Sequence, residues 1–314
     1  MAGFRRVLCA SDLSEAADWA IRAADREARW HGAELVVLHA LPLNYPGAPM
    51  SPESAEQVVV QQEELASEII DELLERVERL TGRDAGQVSV MVEPGTPDET
   101  IIEQADEVGA DLIVVGALGR SEHRPRLFGS VAEKVVKRAH VSVLVARPGG
   151  ETGRIVLGTD FSSPAEPAAR LAADEVVRRC AGITVVHSIE LVSPEFAMGE
   201  PAAIPPIALG AYPIAEMREA AQKRLAATLV HLGIAGEIAV MEGPPGEAIV
   251  RLAAEKHADL IVIGTSGRTG LDRLLLGSVA VNVVREAPCS VLVARPPAQP
   301  RRKTGLREQV SAAS

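Results

Sequence analysis

Three glycines and a serine stand at one fixed spacing twice in this chain. Gly116-x2-Gly119-x9-Gly129-Ser130 returns 148 residues later as Gly264-x2-Gly267-x9-Gly277-Ser278. Glycine permits backbone torsions closed to other residues and carries no Cβ, so peptide N–H groups can approach an anion. Each Gly-Ser pair then opens a helix-like segment whose unpaired N–H groups and positive dipole end face the same place. The serine hydroxyl can donate to a phosphate oxygen. A helix dipole alone contributes about 0.3–1 kcal/mol at an exposed position, so the fan of N–H bonds must supply most of the binding. The chemistry favoured is capture of a phosphate-bearing ligand. Asp12 and Asp160, at the same interval, follow the first strand candidate of each half, on the edge where ligands settle in open α/β sheets. A carboxylate there can accept hydrogen bonds from a ribose; helix capping beside Ser14 or Ser162 is the other role open to it.

The inserts between the glycines differ. The second runs from Arg268-Thr269-Gly270 to Leu276. The first, Arg120 to Phe128, loses a glycine and gains Glu122 and Pro125, while Arg120, Arg124 and Arg126 keep it basic. The second loop is the better preserved. Neither a Gly-x4-Gly-Lys-Ser/Thr loop nor a Gly-x-Gly-x-x-Gly turn occurs, and no nucleophile-base-acid set is legible. His39 and His187, at strand ends beside apolar neighbours, read as structural histidines.

The elements needed to position these residues alternate in both halves. Strand candidates are Arg6–Ala10, Glu34–Ala40, Gln87–Glu93, Leu112–Gly116 and Ser142–Ala146, then Ile155–Gly158, Ile183–His187, Glu237–Met241, Leu260–Gly264 and Ser290–Ala294. Helical spacing marks Ala16–Trp30, Ala55–Leu80, Pro97–Val108 and Ser130–Ala139. Ser163-Pro164-Ala165-Glu166 reads as a capping box opening a helix. The alternation predicts a doubly wound parallel α/β sheet in each of two tandem domains, 1–148 and 153–296. The Pro-rich segments Pro42–Ser54 and Leu191–Pro213 read as long irregular loops, and 297–314 as a disordered tail.

Composition narrows the function classes. Apolar residues make up 47% of the 314 and aromatics 3%, so the core must be built from Ala, Val, Leu and Ile. A net charge of −11 opposes nucleic-acid and anionic-membrane binding. No run of 18 apolar residues is present, and Ser11-Asp12 cuts short the apolar run after the basic start, so a cytoplasmic location is expected. Cys9, Cys180 and Cys289 are widely spaced and read as buried thiols.

The glycine pattern, followed by Val131-Ala132-Glu133-Lys134-Val135-Val136 and closing in Val143-Leu144-Val145, resembles the universal stress protein family. The second half matches from Gly277-Ser278-Val279 to Ala287-Pro288-Cys289-Ser290-Val291-Leu292-Val293. The resemblance implies two Rossmann-like domains of the adenine-nucleotide α-hydrolase-like type. Each has five strands in the order 3-2-1-4-5, with ATP at the reversal between strands one and four. It implies adenine near Ala10, Asp12 and Ala40, or Gly158, Asp160 and Ser188. It implies ribose and phosphates at Gly116, Gly119, Gly129 and Ser130, or Gly264, Gly267, Gly277 and Ser278. Arg120, Val131, Arg268 and Val279, adjoining these, complete the candidate set. Ala40 and Ser188 are smaller than the valine usual in the family. The resemblance also implies pairing of the two fifth strands within one chain, or a homodimer. Mg²⁺ can accompany ATP, although no protein cage for it is visible. The expected function is a non-catalytic ATP-binding stress regulator acting on a protein partner; the alternatives are a nucleotide-independent scaffold and a slow ATP hydrolase.

Overall fold

The computed structural model describes residues 3–42, 52–119, 128–149, 152–190, 213–265 and 276–296. In the first half the chain runs β1 (Arg6–Ala10), α1 (Glu15–His31), β2 (Glu34–Leu41), α2 (Pro52–Thr81), β3 (Ser89–Pro94), α3 (Pro97–Val108), β4 (Leu112–Gly116), α4 (Ser130–Arg138) and β5 (Ser142–Ala146). The second half repeats it as β6 (Arg154–Gly158), α5 (Glu166–Arg179), β7 (Gly182–Ile189), α6 (Ile214–Leu232), β8 (Glu237–Glu242), α7 (Pro245–Glu255), β9 (Leu260–Gly264), α8 (Ser278–Glu286) and β10 (Ser290–Ala294).

The strands are short apolar runs buried on both faces, as β4 (LIVVG) and β9 (LIVIG) show, because helices cover both sides of the sheet. With few aromatics available, α1 and α5 approach the strands on alanines: Ala17, Ala20, Ala24 and Ala28 in one, Ala168, Ala169, Ala172 and Ala173 in the other. Two apolar layers result, one on each face, and each draws residues from both halves of the chain.

All ten strands form one sheet in the order β3-β2-β1-β4-β5-β10-β9-β6-β7-β8. Within each half the pairing is parallel and the order is 3-2-1-4-5. The halves meet where β5 and β10 pair antiparallel, Val143 opposite Val293, Leu144 opposite Leu292 and Val145 opposite Val291. The sheet is therefore mixed, with its single reversal of strand direction at the domain junction.

That junction is reciprocal. The backbone N–H of Arg147 donates to Ser290 Oγ and that of Arg295 to Ser142 Oγ, both at 3.1 Å. The Arg147 guanidinium donates to Val284 O in the last turn of α8, and that of Arg295 to Val136 O in the last turn of α4. Each domain thus supplies the cation and donors for the exposed carbonyl end of the other's final helix.

Four expectations need correction. Residues 85–87 form a 3-10 turn and β3 starts at Ser89, because Gln87 N–H bonds back to Asp84 O instead of joining the ladder. The Ser163-Pro164-Ala165-Glu166 box does not cap a helix: Ser163–Ala165 is a 3-10 turn and α5 starts after it. Pro52 opens α2, so the irregular segment after Pro42 ends earlier than expected; its residues 43–51, most of Leu191–Pro213 and the tail from 297 lie outside the described residues. Cys9 and Cys289 are buried, but Cys180 is exposed. It ends α5 at φ 50°, where Gly32 ends α1 at φ 65°, so a left-handed cap position holds a cysteine and its side chain stays at the surface.

Candidate nucleotide sites at the two switch points

β1 pairs with β2 on one side and β4 on the other, so the connections leaving its carboxyl end diverge and open a crevice. β6, between β7 and β9, does the same. A cavity of about 390 Å³ lies at the first crevice and one of about 600 Å³ at the second.

The first cavity brings together Ala10, Asp12, Ala40, Gly116, Gly119, Gly129, Ser130 and Val131. The second brings together Gly158, Asp160, Ser188, Gly264, Gly277, Ser278 and Val279. The other sequence candidates, Arg120, Gly267 and Arg268, lie outside the described residues.

Asp12 is held in place from its own loop. Its Oδ1 accepts from Ser14 N (3.1 Å) and Ser14 Oγ (2.5 Å), while Ser14 Oγ accepts from Ala17 N (3.1 Å) and caps α1. Asp160 accepts in the same way from Ser162 N (3.0 Å) and Oγ (2.6 Å), without an onward cap bond from the serine to the helix. The residue between each pair, Leu13 or Phe161, has φ 63°. That left-handed torsion is strained for a side-chain-bearing residue, and the aspartate clamps it. The capping and site-wall readings of the aspartate therefore describe one arrangement.

The glycines make room. A Cβ on Gly119 would stand 3.0 Å from Asp12 Oδ2, and one on Gly116 would stand 3.1 Å from Leu118 O. Both α4 and α8 begin at a glycine N-cap, Gly129 or Gly277, with no side-chain cap bond. Their first-turn N–H groups, which have no intrahelical acceptor, open on the cavities. Gly129 N–H itself bonds Ala117 O at 2.8 Å, which fixes where the helix starts.

His39 Nδ1 lies 2.8 Å from Ser11 O, and His187 Nδ1 lies 2.8 Å from Thr159 O. A carbonyl only accepts, so Nδ1 carries the proton in both. Each ring ties the end of the second strand to the exit of the first while lining its cavity.

Phe161, Arg224 and Met217 are among the wall residues that the sequence motifs do not single out. Phe161 packs against His187 at 4.5 Å between ring centroids and under Arg224 at 4.2 Å, and Met217 lies nearby on α6. The repeat interval is a signal that could have found two of them, because it aligns Phe161 with Leu13 and Arg224 with Arg76.

Among the described residues, acids and histidine converge with metal-like spacing only at Glu27, His31 and Glu175, away from both cavities. His31 Nδ1 accepts from Phe4 N–H at 3.1 Å, which leaves the proton on Nε2, 3.0 Å from Glu175 Oε1. A nitrogen that donates has no lone pair for a metal, so this cluster is bonded through protons.

The family model described as the universal stress protein family matches residues 3–147 and again 151–295. A universal stress protein of Mycobacterium tuberculosis is 29% identical over 302 residues, covering 92% of this chain and 96% of its own. One from Thermus aquaticus is 37% identical over 142 residues, 45% of this chain and 97% of that protein, so a whole relative corresponds to one half here. The crystal structure of a universal stress protein from Archaeoglobus fulgidus superposes with a TM-score of 0.65 at 21% identity, over 92% of this chain and 98% of that one, and shares the fold. With its glycine pattern, strand order and both halves matched, the chain belongs to the universal stress protein family, as a tandem two-domain member.

Proposed function

We propose that each half binds one adenine nucleotide, ATP, at its switch-point cavity, and that the protein acts as a cytoplasmic nucleotide-responsive regulator of a protein partner without turning the nucleotide over. One observation carries the reading. In both halves a single cavity joins an uncapped helix start (Gly129-Ser130 or Gly277-Ser278) to an aspartate fixed at the exit of the central strand. The first is anion chemistry and the second is sugar or base chemistry, and a nucleotide has both. Cavities of about 390 and 600 Å³ fall in the range of small-molecule sites. Both cavity histidines are bonded through Nδ1 to backbone carbonyls, which suits a structural role better than a mobile proton carrier. Mg²⁺ would enter with the phosphates, since Asp12 and Asp160 already accept bonds from Ser14 and Ser162.

The test is to denature freshly purified protein, identify any released nucleotide chromatographically, and titrate the emptied protein with ATP. Two nucleotides per chain are expected. Failure to release or bind any would overturn the reading.

A further inference from the structure

Arg76 on α2 and Arg224 on α6 hold the same place in the repeat and have different surroundings. Arg76 is committed inside the first half. Its Nε lies 2.5 Å from Asp18 Oδ1, its Nη2 donates to Ser14 O at 3.0 Å, and its side chain is 12% exposed. It is not part of the first cavity's wall. In the second half Glu166 replaces Asp18, and its carboxylate turns to Arg170 on the same helix, with Arg170 Nε 3.1 Å from Glu166 Oε1. Arg224 has no carboxylate partner among the described residues. It sits over the Phe161 ring, donates to Phe161 O at 3.3 Å, and lines the cavity that also includes Gly277 and Ser278.

At this repeat position an arginine is internally paired in the first half and, among the described residues, an exposed guanidinium on the cavity wall in the second. An aromatic ring beneath a guanidinium limits its rotamers and leaves its N–H edge for oxygen acceptors. Phosphate and ribose oxygens are the acceptors a nucleotide brings. The acids on the same wall are Asp160, which already accepts from Ser162, and Glu190, neither of which forms an ion pair with Arg224 among the described residues.

We infer that Arg224 makes the second site the tighter of the two for nucleoside phosphates, through a contact with no counterpart among the described residues of the first site. The inference rests on the nucleotide reading proposed above and adds a ranking of the two sites.

The experiment is calorimetric titration of the full chain with ATP at low and moderate salt, for the unaltered protein, Arg224→Gln and Arg224→Lys. Two affinity classes about tenfold apart are expected, the size of one charge-assisted hydrogen bond. Arg224→Gln should reduce the tighter class to the level of the weaker. Arg224→Lys should keep part of the gap, because it preserves the charge and loses the planar fork. Added salt should weaken the tighter class more. Because Arg224 is exposed, the ligand-free variants should melt with the unaltered protein. Two equal sites in the unaltered protein, or a tight class that survives in Arg224→Gln, would overturn the inference and leave the nucleotide reading intact. No ATP binding by the unaltered protein would overturn both.

Discussion

Ser14 and Ser162 bond their aspartates alike, but only Ser14 also accepts from a helix N–H. Ser14→Ala should therefore cost about 1 kcal/mol of stability, the usual loss for a cap, and Ser162→Ala clearly less. Paired urea denaturation curves check this; equal losses would show that the cap bond contributes nothing. The aspartates carry a second prediction. Asp160→Ala frees Ser162 and releases the clamp on Phe161, so ligand-free stability should fall by about 1 kcal/mol. Its ATP affinity should fall by about tenfold or more, read from the thermal shift at fixed nucleotide. At this scale the repeat interval makes much of the wall legible in the amino-acid sequence: two glycines, a serine and an aspartate can be placed in each half. It does not show the left-handed turn at Leu13 and Phe161, because neither residue type announces a positive φ. A further exchange emerges only from the packing. The first half has Ala10 and Val115 where the second has Gly158 and Ile263, and a Cβ on Gly158 would stand 3.2 Å from Ile263 Cγ2 and 2.7 Å from Ile249 Cδ1. Bulk has moved from one wall position to its neighbour.

Among the elements, the strands are the most legible, since β1, β4, β5, β9 and β10 are short, mostly apolar runs. The entry to α5 differs from expectation because Pro164 suits a 3-10 turn as well as a first helical turn, and local sequence does not separate the two. What holds the last helices is not legible. Arg147 and Arg295 follow identical strands in sequence, yet each serves the other domain. Burial lowers the affinity of both guanidiniums for their protons, and the helix-end carbonyls accept from the buried charges. Arg295→Ala should remove the donors at Val136 and Lys137 and unpin the end of α4. The expected cost is about 1–3 kcal/mol, with faster amide exchange localised to the last turn of α4. Exchange that accelerated in α8 instead would contradict the crossed arrangement.

At the scale of the whole molecule, α1 and α5 meet across the domain boundary through a charged quartet that repeats with the chain's own interval: Glu27 and His31 facing Glu175 and Arg179. The repeat interval pairs Arg179 with His31, whose Nδ1 accepts from Phe4 N–H. Two carboxylates then face Arg179, with Arg26 the further cation acting on Glu27 and Trp30 stacked on Arg179 at 4.4 Å. Both Glu175 oxygens have donors, from His31 and Arg179, whereas Glu27 Oε2 has no hydrogen-bond partner and stands 3.6 Å from His31 Nε2. Glu27 is therefore the carboxylate of the pair less well supplied with donors. Burial, then the charge of Glu175, pushes its pKa from the ordinary 4.5 up to about 8, against the pull of Arg179 and Arg26. A raised carboxyl pKa means the folded chain retains a proton that the unfolded chain releases between about pH 4.5 and 8. Stability from this group is accordingly greatest at the acid end of that window, declines as pH rises through it, and is lost above the folded pKa. The amplitude is on the order of a few kcal/mol. Glu27→Gln keeps the shape without the titration, so its melting temperature should overtake that of the unaltered protein toward pH 8–9 and fall to or below it near pH 5. Because the quartet joins α1 to α5, the alkaline loss should also appear as loosening of those two helices against each other, measurable by a fluorophore pair with one member on each helix. Parallel pH profiles for the two proteins would mean that Glu27 is ionised in the fold and that Arg179 alone balances the pair.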